Sequence, residues 1–472
     1  MKKTTGSFTI ALVFSALFAT GQRPYSHDRV YAANQISNTV SVVDPQHNRF
    51  LGEIRLGKPF PTVFSPLYKG QMLVHGLRYL PQKKMLAVIS IGSNSVTLVS
   101  TETNQVLKTI YVGRSPHEPT FTPDGKQIWV SVRGEAYVSV IDVAQMAEVR
   151  RVPVADGPGM VAFTSDGKQA YVCSSFTPEV AIVNTATYSI IKRIPVTSPF
   201  SPNIYTSSDG QWVAMTHKDV GKVTVINTAT MSVTHVLNTG PITNHVTFSN
   251  VNQKLLMMVT VGGENKVRVF DAGQNFKQTD TIQVGALPHG IWPSADGKIM
   301  YIGLEYGDQV QGIDLQTMKP MRPVQIGQSP QAVVYADGAV SDPQNAVGLS
   351  PLGDSASTQV IVLTGLTKGG KAHGRLSVRS IGLTDLIEQN FTFLQPNASY
   401  TVALSKSVGP PFVSDYELNR FEADSQGKYN GQSTGLIKSL TANQDTQPYR
   451  HVILTDNRTK QVILLDNPSE SY

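Results

Sequence analysis

Residues 113–142 read GRSPHEPTFTPDGKQIWVSVRGEAYVSVID, and much of the chain repeats this pattern. A first run at 117–122 leads to the dipeptide Asp124-Gly125, and two further alternating runs follow at 127–132 and 137–141. An Asp-Gly pair between such runs predicts a tight hairpin, because glycine adopts the positive φ that these turns require. The stretch therefore predicts one small antiparallel sheet.

The same order of runs and turns recurs along most of the chain. A valine of the third run marks each unit, and the markers follow one another every 42 to 44 residues after a first interval of 56. The seven markers are Val40, Val96, Val138, Val180, Val223, Val267 and Val310. Seven units of near-constant length, each with three or four short strands, predict an all-β fold, a seven-bladed β-propeller.

The first unit lacks an innermost strand, because counting back from its marker reaches the N-terminal leader. A run at 331–335 follows the seventh unit and is left over. We therefore predict that strand 331–335 pairs with the N-terminal blade and closes the ring, so that the propeller spans residues 28–338. Closure removes sheet edges that would otherwise be open to aggregation.

Beyond residue 340 the repeat stops. Residues 341–472 contain further apolar or alternating runs, which we interpret as a small β-sandwich with one or two helical turns at 383–389. The segment RHVILTDNRTKQVILLD at 450–466 resembles a second and third propeller strand. An eighth, interrupted blade is the alternative for that segment, although no outer strand follows it.

Several units resemble the YVTN family of seven-bladed propellers. The resemblance is carried by Tyr31-Ala32-Ala33-Asn34, NTVSVVD at 38–44, SPHEPTFTPDGK at 115–126 and KVTVINTAT at 222–230. It covers roughly residues 28–338 and implies the propeller fold. It does not imply one function, because such propellers include surface proteins, DNA-binding proteins and relatives of lactonases and of the d1-haem domain of nitrite reductase.

The first 21 residues have the pattern of a secretory signal peptide. Lys2 and Lys3 precede an apolar segment at 8–19, and small residues at 19–21 provide a cleavage site. This segment is too short to span a bilayer and nothing downstream is long enough, so we expect no transmembrane segment. The sequence thus predicts an exported protein, in the periplasm, outside the cell or at its surface.

One interval departs from the repeat. The first spacing carries about 14 extra residues, within the segment KPFPTVFSPLYKGQMLV at 58–74. Loops on a rigid scaffold often carry binding residues, so this insert is a candidate binding loop. A plain spacer fits equally well, because loops tolerate insertion.

A column of mostly polar residues stands at the start of the predicted inner strands, which line the central channel of a propeller. Four of the chain's ten histidines fall in this column. The column consists of His75, His117, Gly159, Asn203, His245, His289 and Gln331. The predicted ligand-binding site at the channel mouth comprises His75, His117, His245, His289 and Gln331, with Glu118, Arg133 and Glu305 beside them.

Imidazoles in this arrangement suit a transition metal, the axial position of a haem, proton transfer or anion binding. Neighbouring pairs, His75 with His117 and His245 with His289, are the candidate metal ligands, because nitrogen–metal bonds near ~2 Å do not span facing blades. The alternative is structural. The family consensus itself favours Pro-His-Gly at this position, so His117 and His289 would cap strand ends through backbone hydrogen bonds.

The sequence therefore favours an exported, non-catalytic propeller that binds a protein or small-molecule ligand or mediates surface interactions. The second hypothesis is an enzyme of lactonase type, or a metal- or haem-binding protein, that uses the channel-mouth histidines. Single-stranded DNA binding is the third; it rests on the family resemblance and on a net charge of +6 that arises without a dense Lys/Arg run. Cys173, the only cysteine, lies in an apolar run and is interpreted as a buried, inert thiol.

Overall fold

The computed structural model describes residues 25–57, 72–352, 359–366, 370–380, 385–435 and 449–467. The segment from residue 25 to residue 336 forms seven antiparallel sheets, which are the blades of one propeller, and an eighth sheet follows. The predicted seven-bladed, all-β fold is confirmed. The leader at 1–21 and most of the insert, 58–71, lie outside the described residues.

Blades 2 to 6 each take four consecutive strands, named inner, second, third and outer from the channel outward. Blade 2 comprises Val74–Leu80, Met85–Ser90, Ser95–Ser100 and Val106–Tyr111. Blade 3 comprises Pro116–Phe121, Gln127–Val132, Tyr137–Asp142 and Ala147–Pro153. Blade 4 comprises Pro158–Phe163, Gln169–Ser174, Glu179–Asn184 and Ser189–Pro195. Blade 5 comprises Ile204–Thr206, Trp212–His217, Lys222–Asn227 and Ser232–Asn238. Blade 6 comprises Thr243–Val251, Lys254–Val261, Lys266–Asp271 and Lys277–Gln283.

Blade 7 has an interrupted outer strand. It comprises Pro288–Pro293, Ile299–Leu304 and Gln309–Asp314, followed by the short pieces Lys319–Pro320 and Val324–Gln325. Pro320 and Pro323 account for the interruption, because proline has no backbone N–H to donate to the ladder.

Blade 1 is assembled from two distant parts of the chain. Its second, third and outer strands are Arg29–Asn34, Thr39–Asp44 and Arg49–Arg55, and its inner strand is Pro330–Ala336. The inner strand pairs antiparallel with Arg29–Asn34, in a register that places Val30 opposite Tyr335. The predicted ring closure is confirmed.

The turn between the inner and second strands is built in the same way in several blades. In blade 3, Oγ1 of Thr122 donates to Oδ1 of Asp124 at 2.7 Å, and the same oxygen accepts from the backbone N–H of Lys126 at 3.1 Å. Gly125 sits between them with a φ of +68°, which glycine adopts without strain. Gly167, Gly210 and Gly297 occupy the same turn position with φ of +68°, +71° and +68°.

Neighbouring blades pack face to face through apolar side chains. Ile128 and Val130 of blade 3, for example, share one buried cluster with Ile89 and Leu98 of blade 2. Because both faces of a blade are covered in this way, the second and third strands are apolar along most of their length. Short 3₁₀ helices occupy Tyr25–His27, Pro81–Lys83, Gly262–Glu264 and Ala272–Gln274. Nowhere in the described ranges is there a helix with the length and apolar character needed to cross a membrane.

The C-terminal unit is one antiparallel sheet of eight strands. In spatial order these are Tyr416–Glu422, Ser399–Ser405, His451–Asp456, Val462–Asp466, Gln359–Gly365, His373–Ser380, Asp385–Thr392 and Tyr429–Gly435. The sheet curls until its two edges meet, where the side-chain amide of Asn419 donates to the hydroxyl of Tyr429 at 3.1 Å. The interior is filled by a buried apolar cluster that includes Leu376, Phe391 and Leu454.

This sheet refines the sequence predictions for residues 341–472. The two layers of the predicted sandwich belong to a single, nearly closed sheet. The helical turns expected at 383–389 are wrong, because Asp385–Thr392 is a strand. The eighth blade is also wrong, because strands His451–Asp456 and Val462–Asp466 lie between Ser399–Ser405 and Gln359–Gly365 in this sheet.

The C-terminal sheet is anchored to blade 7 by a buried arginine. Nε of Arg379 donates to Oδ1 of Asp308 at 2.8 Å, and the guanidinium also pairs with Glu388. Nη2 of Arg379 donates to the backbone oxygen of Glu305, and Oγ of Ser377 donates to that of Tyr306. The sheet therefore holds the loop that follows the second strand of blade 7.

Candidate functional site

Ring closure gathers the histidine column at one end of the central channel. The imidazole centroids of His75 and His117 lie 4.4 Å apart, those of His245 and His289 lie 4.8 Å apart, and those of His75 and His289 lie 6.3 Å apart. All four side chains are buried, with residue exposures of 3 to 6%. Residues from blades 2, 3, 6 and 7 thus form one continuous cluster of rings, the histidine cluster.

Backbone carbonyls fix the tautomers of two of these rings. Nδ1 of His117 donates to the backbone oxygen of Gly159 at 2.7 Å, and Nδ1 of His289 donates to that of Gln331 at 2.6 Å. A carbonyl oxygen only accepts, so Nδ1 carries the proton in both rings. When these rings are neutral, Nε2 bears a lone pair and is the nitrogen left for a ligand. The backbone hydrogen bonds expected from the structural alternative are present, and they leave this second nitrogen open.

Burial keeps the histidine cluster neutral. It lowers the pKa of His289 to about 4 and those of His75, His117 and His245 well below 6.5. Nearby positive charge acts in the same direction: Arg133 lowers the pKa of His75 and of His117 further. At neutral pH the cluster therefore adds lone pairs, and no positive charge, to the channel.

A carboxyl group lies directly beneath the histidine cluster. Oε1 of Glu118 is 3.9 Å from Nδ1 of His75, and Oε2 is 3.4 Å from Nη1 of Arg78. Neither oxygen has a hydrogen-bond partner within the part of the chain that the structure describes. Burial raises the pKa of Glu118 to about 7, although Arg78 and Arg133 oppose this. Glu118 is therefore a carboxyl poised to exchange its proton near neutral pH.

Three charged residues stand at equivalent positions around the same end of the channel. Arg133, Lys218 and Glu305 each follow directly after the second strand of their blade, in blades 3, 5 and 7. Burial lowers the pKa of Arg133 to about 10, and it lowers the pKa of Lys218, with Arg133 adding to the effect and Glu305 opposing it. The two cations are therefore close enough to repel each other across the channel.

Neither cation forms a close ion pair. Arg133 and Lys218 form no ion pair within 4 Å in the described ranges, and Nε of Arg133 is buried there without a hydrogen-bond partner. Sequence reasoning named Arg133 and Glu305 but missed Lys218. Its position in the repeat could have revealed it. Lys218 directly follows the last residue of a second strand, as Arg133 and Glu305 do.

Below the histidine cluster, four side chains from different blades meet across the channel and form a floor. The guanidinium of Arg78 lies 4.7 Å from the ring centroid of Trp292, and its Nη2 is 3.5 Å from Sδ of Met160. The ring of Tyr205 meets that of Trp292 edge to face at 5.5 Å. Arg78, Met160, Tyr205 and Trp292 separate the histidine end from the opposite end of the channel.

The remaining predicted site residues take supporting positions. Nε2 of Gln331 donates to Oγ of Ser329 at 3.0 Å, while its backbone oxygen holds His289. Residues 72–74 of the insert are described, and the backbone N–H groups of Met72 and Leu73 donate to Oδ1 of Asn38. A role for residues 58–71 as a binding loop stays a prediction.

Across the described ranges, no three His, Cys, Asp or Glu side chains are arranged to hold one metal ion. The metal site at His75, His117, His245 and His289, and a haem at the same place, stay predictions. Cys173 is buried, as its apolar run predicts, and burial raises the pKa of its thiol to about 12.

The middle of the propeller matches the model of a known protein family. Residues 77–207 match the model of the YNCE-like β-propellers. This match covers blades 2 to 4 and the start of blade 5, including His117, Glu118 and Arg133. No curated protein matches the chain.

Solved structures share the overall architecture. Hydrazine synthase of Kuenenia stuttgartiensis is similar with a TM-score of 0.51 at 19% identity, covering 55% of this chain and 89% of that one. A functionally unknown protein from Desulfotomaculum acetoxidans DSM 771 is similar with a TM-score of 0.55 at 10% identity, covering 65% and 98%. At these identities the two likenesses show the fold alone. The dihydro-heme d1 dehydrogenase NirN in complex with DHE has a TM-score of 0.47 at 13% identity, covering 86% of this chain and 76% of that one.

Proposed function

We propose that this chain is an exported, non-catalytic binding propeller that takes a small anionic ligand at the histidine end of its channel. The observation that carries the proposal is the pair Arg133 and Lys218. Both lie half-buried at the same end of the channel, repel each other and form no ion pair within 4 Å among the described residues. Like charges held together in a low-dielectric cleft raise the local concentration of a counter-ion, which here is an anion.

The histidine cluster completes such a site. A bound anion would favour protonation of the nearby imidazoles, whose pKa values burial and positive neighbours now hold down. A ring that is neutral without ligand and charged with it would add hydrogen-bond donors only when the anion is present. Glu118 and Glu305 set a limit on ligand charge, because a highly charged anion would be repelled by both carboxylates.

Binding is favoured over catalysis by the partners of the candidate groups. His117 and His289 are held by backbone carbonyls, whereas a catalytic base is commonly oriented by an acidic side chain and paired with a nucleophile. The Cys173 thiol is buried and stays protonated at neutral pH. Export rests on the leader pattern at 1–21, and the N-terminal residue of the mature protein would test it.

Calorimetric titration with succinate and with inorganic phosphate at low salt tests the proposal. We expect one of these probes to bind, and we expect the double variant Arg133→Gln/Lys218→Gln to bind it at least about tenfold more weakly, since charged hydrogen bonds contribute roughly 1.5–3 kcal/mol each. Arg150→Gln/Lys192→Gln removes the same charge from exposed outer-strand positions and should leave binding unchanged.

Three results would contradict the proposal. The first is that neither probe binds the folded wild-type protein. The second is that the double variant binds a probe as tightly as the wild type. The third is that only a single-stranded oligonucleotide binds, with an affinity that falls steeply with salt, which would favour the DNA-binding hypothesis.

A further inference from the structure

A cavity lies at the end of the channel opposite the histidine cluster. Its volume is about 350 Å³, and it is lined by the ends of inner strands and the turns that follow them in blades 2 to 5, with Trp292 from blade 7. The floor described above separates it from the histidine end. Small-molecule sites in proteins have volumes from roughly 300 Å³ upward, so the cavity is large enough for a small ligand.

The walls of this cavity are aromatic. Tyr79, Phe121, Phe163, Tyr205 and Trp292 all line it. Tyr205 and Trp292 are fixed by their edge-to-face contact. Rings that line a cavity in this way favour a flat aromatic ligand, which can stack on one face and meet others edge to face.

Arg78 is the only charged residue in the described lining. Its side chain is about nine-tenths buried. Nη1 donates to the backbone oxygen of Leu77 at 2.8 Å and lies 3.4 Å from Oε2 of Glu118, but the partner of Nη2 is only the thioether of Met160, a weak acceptor. A guanidinium presents five N–H groups, so most of the hydrogen-bonding capacity of this buried cation is unused.

We propose that this cavity binds a small aromatic carboxylate, whose acid group pairs with Arg78 and whose ring packs among the aromatic walls. The cavity supplies one buried cation whose contact with Glu118 involves only Nη1, and a carboxylate matches the planar fork of a guanidinium with two parallel hydrogen bonds. The apolar walls reward a ring that leaves water. This site is distinct from the anion site proposed above, because Arg133, Lys218 and the histidine cluster lie across the floor, and the two sites are linked only through the contact between Arg78 and Glu118.

Titration of the wild-type protein with 2-naphthoate and with 2-naphthamide tests the proposal first. The two probes share the ring system and differ in charge. We expect naphthoate to bind at least about tenfold more tightly than the amide, because only the acid forms a charge-assisted pair with Arg78. Equal binding of the two probes, or no binding of either, would overturn the proposal.

Variants then place the probe. Arg78→Gln should weaken naphthoate binding at least about tenfold and remove the preference for the acid. Thr206→Phe, which fills the cavity without touching Arg78, should abolish binding of both probes and serves if Arg78→Gln fails to fold. The matched control is Arg150→Gln. In the wild type the exposed guanidinium of Arg150 lies 4.5 Å from the ring centroid of Tyr188, and its loss should leave naphthoate binding unchanged.

Two results would overturn the proposal, because each would place the probe elsewhere. Naphthoate binding could survive Thr206→Phe, or it could be lost in Arg133→Gln/Lys218→Gln.

Discussion

The imidazole of His75 lies 4.4 Å from that of His117, centroid to centroid, although the two residues belong to different blades. Contact between buried imidazoles is stable only while they are neutral, because two adjacent imidazolium ions would repel each other in a medium that screens charge poorly. The protonation state of the histidine cluster is therefore coupled to the stability of the fold.

We predict that the protein loses stability in mild acid. The pKa of His217 and that of His289 are about 4 in the fold, whereas an unfolded histidine titrates near 6.5. As the pH falls from about 6.5 toward about 4, the unfolded chain binds protons that the folded chain does not, and stability falls. For His289 alone this amounts to roughly 3 kcal/mol. Urea unfolding at pH 7.5, 6.5, 5.5 and 4.5 follows the loss over this interval.

Glu118 opposes this trend, because its folded pKa of about 7 favours the folded state below that pH. Burial also raises the pKa values of Glu53 and Asp466, but these carboxyl groups act against the five buried histidines His75, His117, His217, His245 and His289. A His217→Gln/His289→Gln variant should show a weaker fall in stability between pH 7 and 5. An unfolding midpoint that stays constant over this range in the wild type would refute the coupling.

Replacement of Glu118 by glutamine should stabilise the protein above pH 7. The buried carboxyl must ionise there at a cost, since its pKa is raised from 4.5 to about 7, while a glutamine stays neutral. We expect Glu118→Gln to raise the free energy of unfolding at pH 8 by up to about 3 kcal/mol. At pH 5 both side chains are neutral in the fold and the gain should be smaller. A variant that is equally destabilised at both pH values would instead indicate that the ion pair with Arg78 dominates.

Nitrogen NMR of the histidine rings should detect an Nδ1–H tautomer for His117 and His289. The carbonyl oxygens of Gly159 and Gln331 accept from these nitrogens, and the rings are neutral at pH 7. Both rings should therefore show a protonated Nδ1 and an unprotonated Nε2. The partly exposed His235, whose Nε2 donates to Oδ1 of Asn275 at 2.9 Å, provides a reference with a protonated Nε2. Signals of an Nε2–H tautomer at either position would show that these carbonyl hydrogen bonds are absent.

Loss of the Arg379 charge should be strongly destabilising. Arg379→Met leaves the carboxylates of Asp308 and Glu388 buried without their cation, which we expect to cost about 3–5 kcal/mol. Thermal unfolding measures the loss. The triple variant Asp308→Asn/Arg379→Met/Glu388→Gln removes all three charges and should recover most of it. Arg420→Met, which breaks an exposed pair with Glu417, should change the free energy of unfolding by less than about 1 kcal/mol. A similar small effect for Arg379→Met would contradict the anchoring role.

The propeller could be predicted because its signals are local and repeated. A turn such as Asp124-Gly125 is encoded by adjacent residues, and its recurrence gives the blade count. The closure of the ring could then be predicted by elimination, because the strand at 330–336 had no other partner. The histidine column was visible for the same reason, as equivalent positions in a repeat occupy equivalent places in space.

The C-terminal sheet lacked such signals. Its strands could be found, but their order is set by contacts between distant segments, such as Ser399–Ser405 beside His451–Asp456. Asp385–Thr392 was mistaken in part for helix because tertiary pairing on both sides overrides a short ambiguous pattern. Lys218 was missed because a single lysine after a strand is an ordinary surface residue until its blade is superposed on those of Arg133 and Glu305.

The most direct test is a titration of protein labelled with ¹⁵N-histidine, with succinate as the probe and the ring nitrogens as the readout. If the histidine end binds an anion, the signals of His75, His117, His245 and His289 should shift together in the wild type, and should not shift in Arg133→Gln/Lys218→Gln. Shifts confined to exposed histidines such as His47, or shifts that persist in the double variant, would contradict an anion site at this end of the channel.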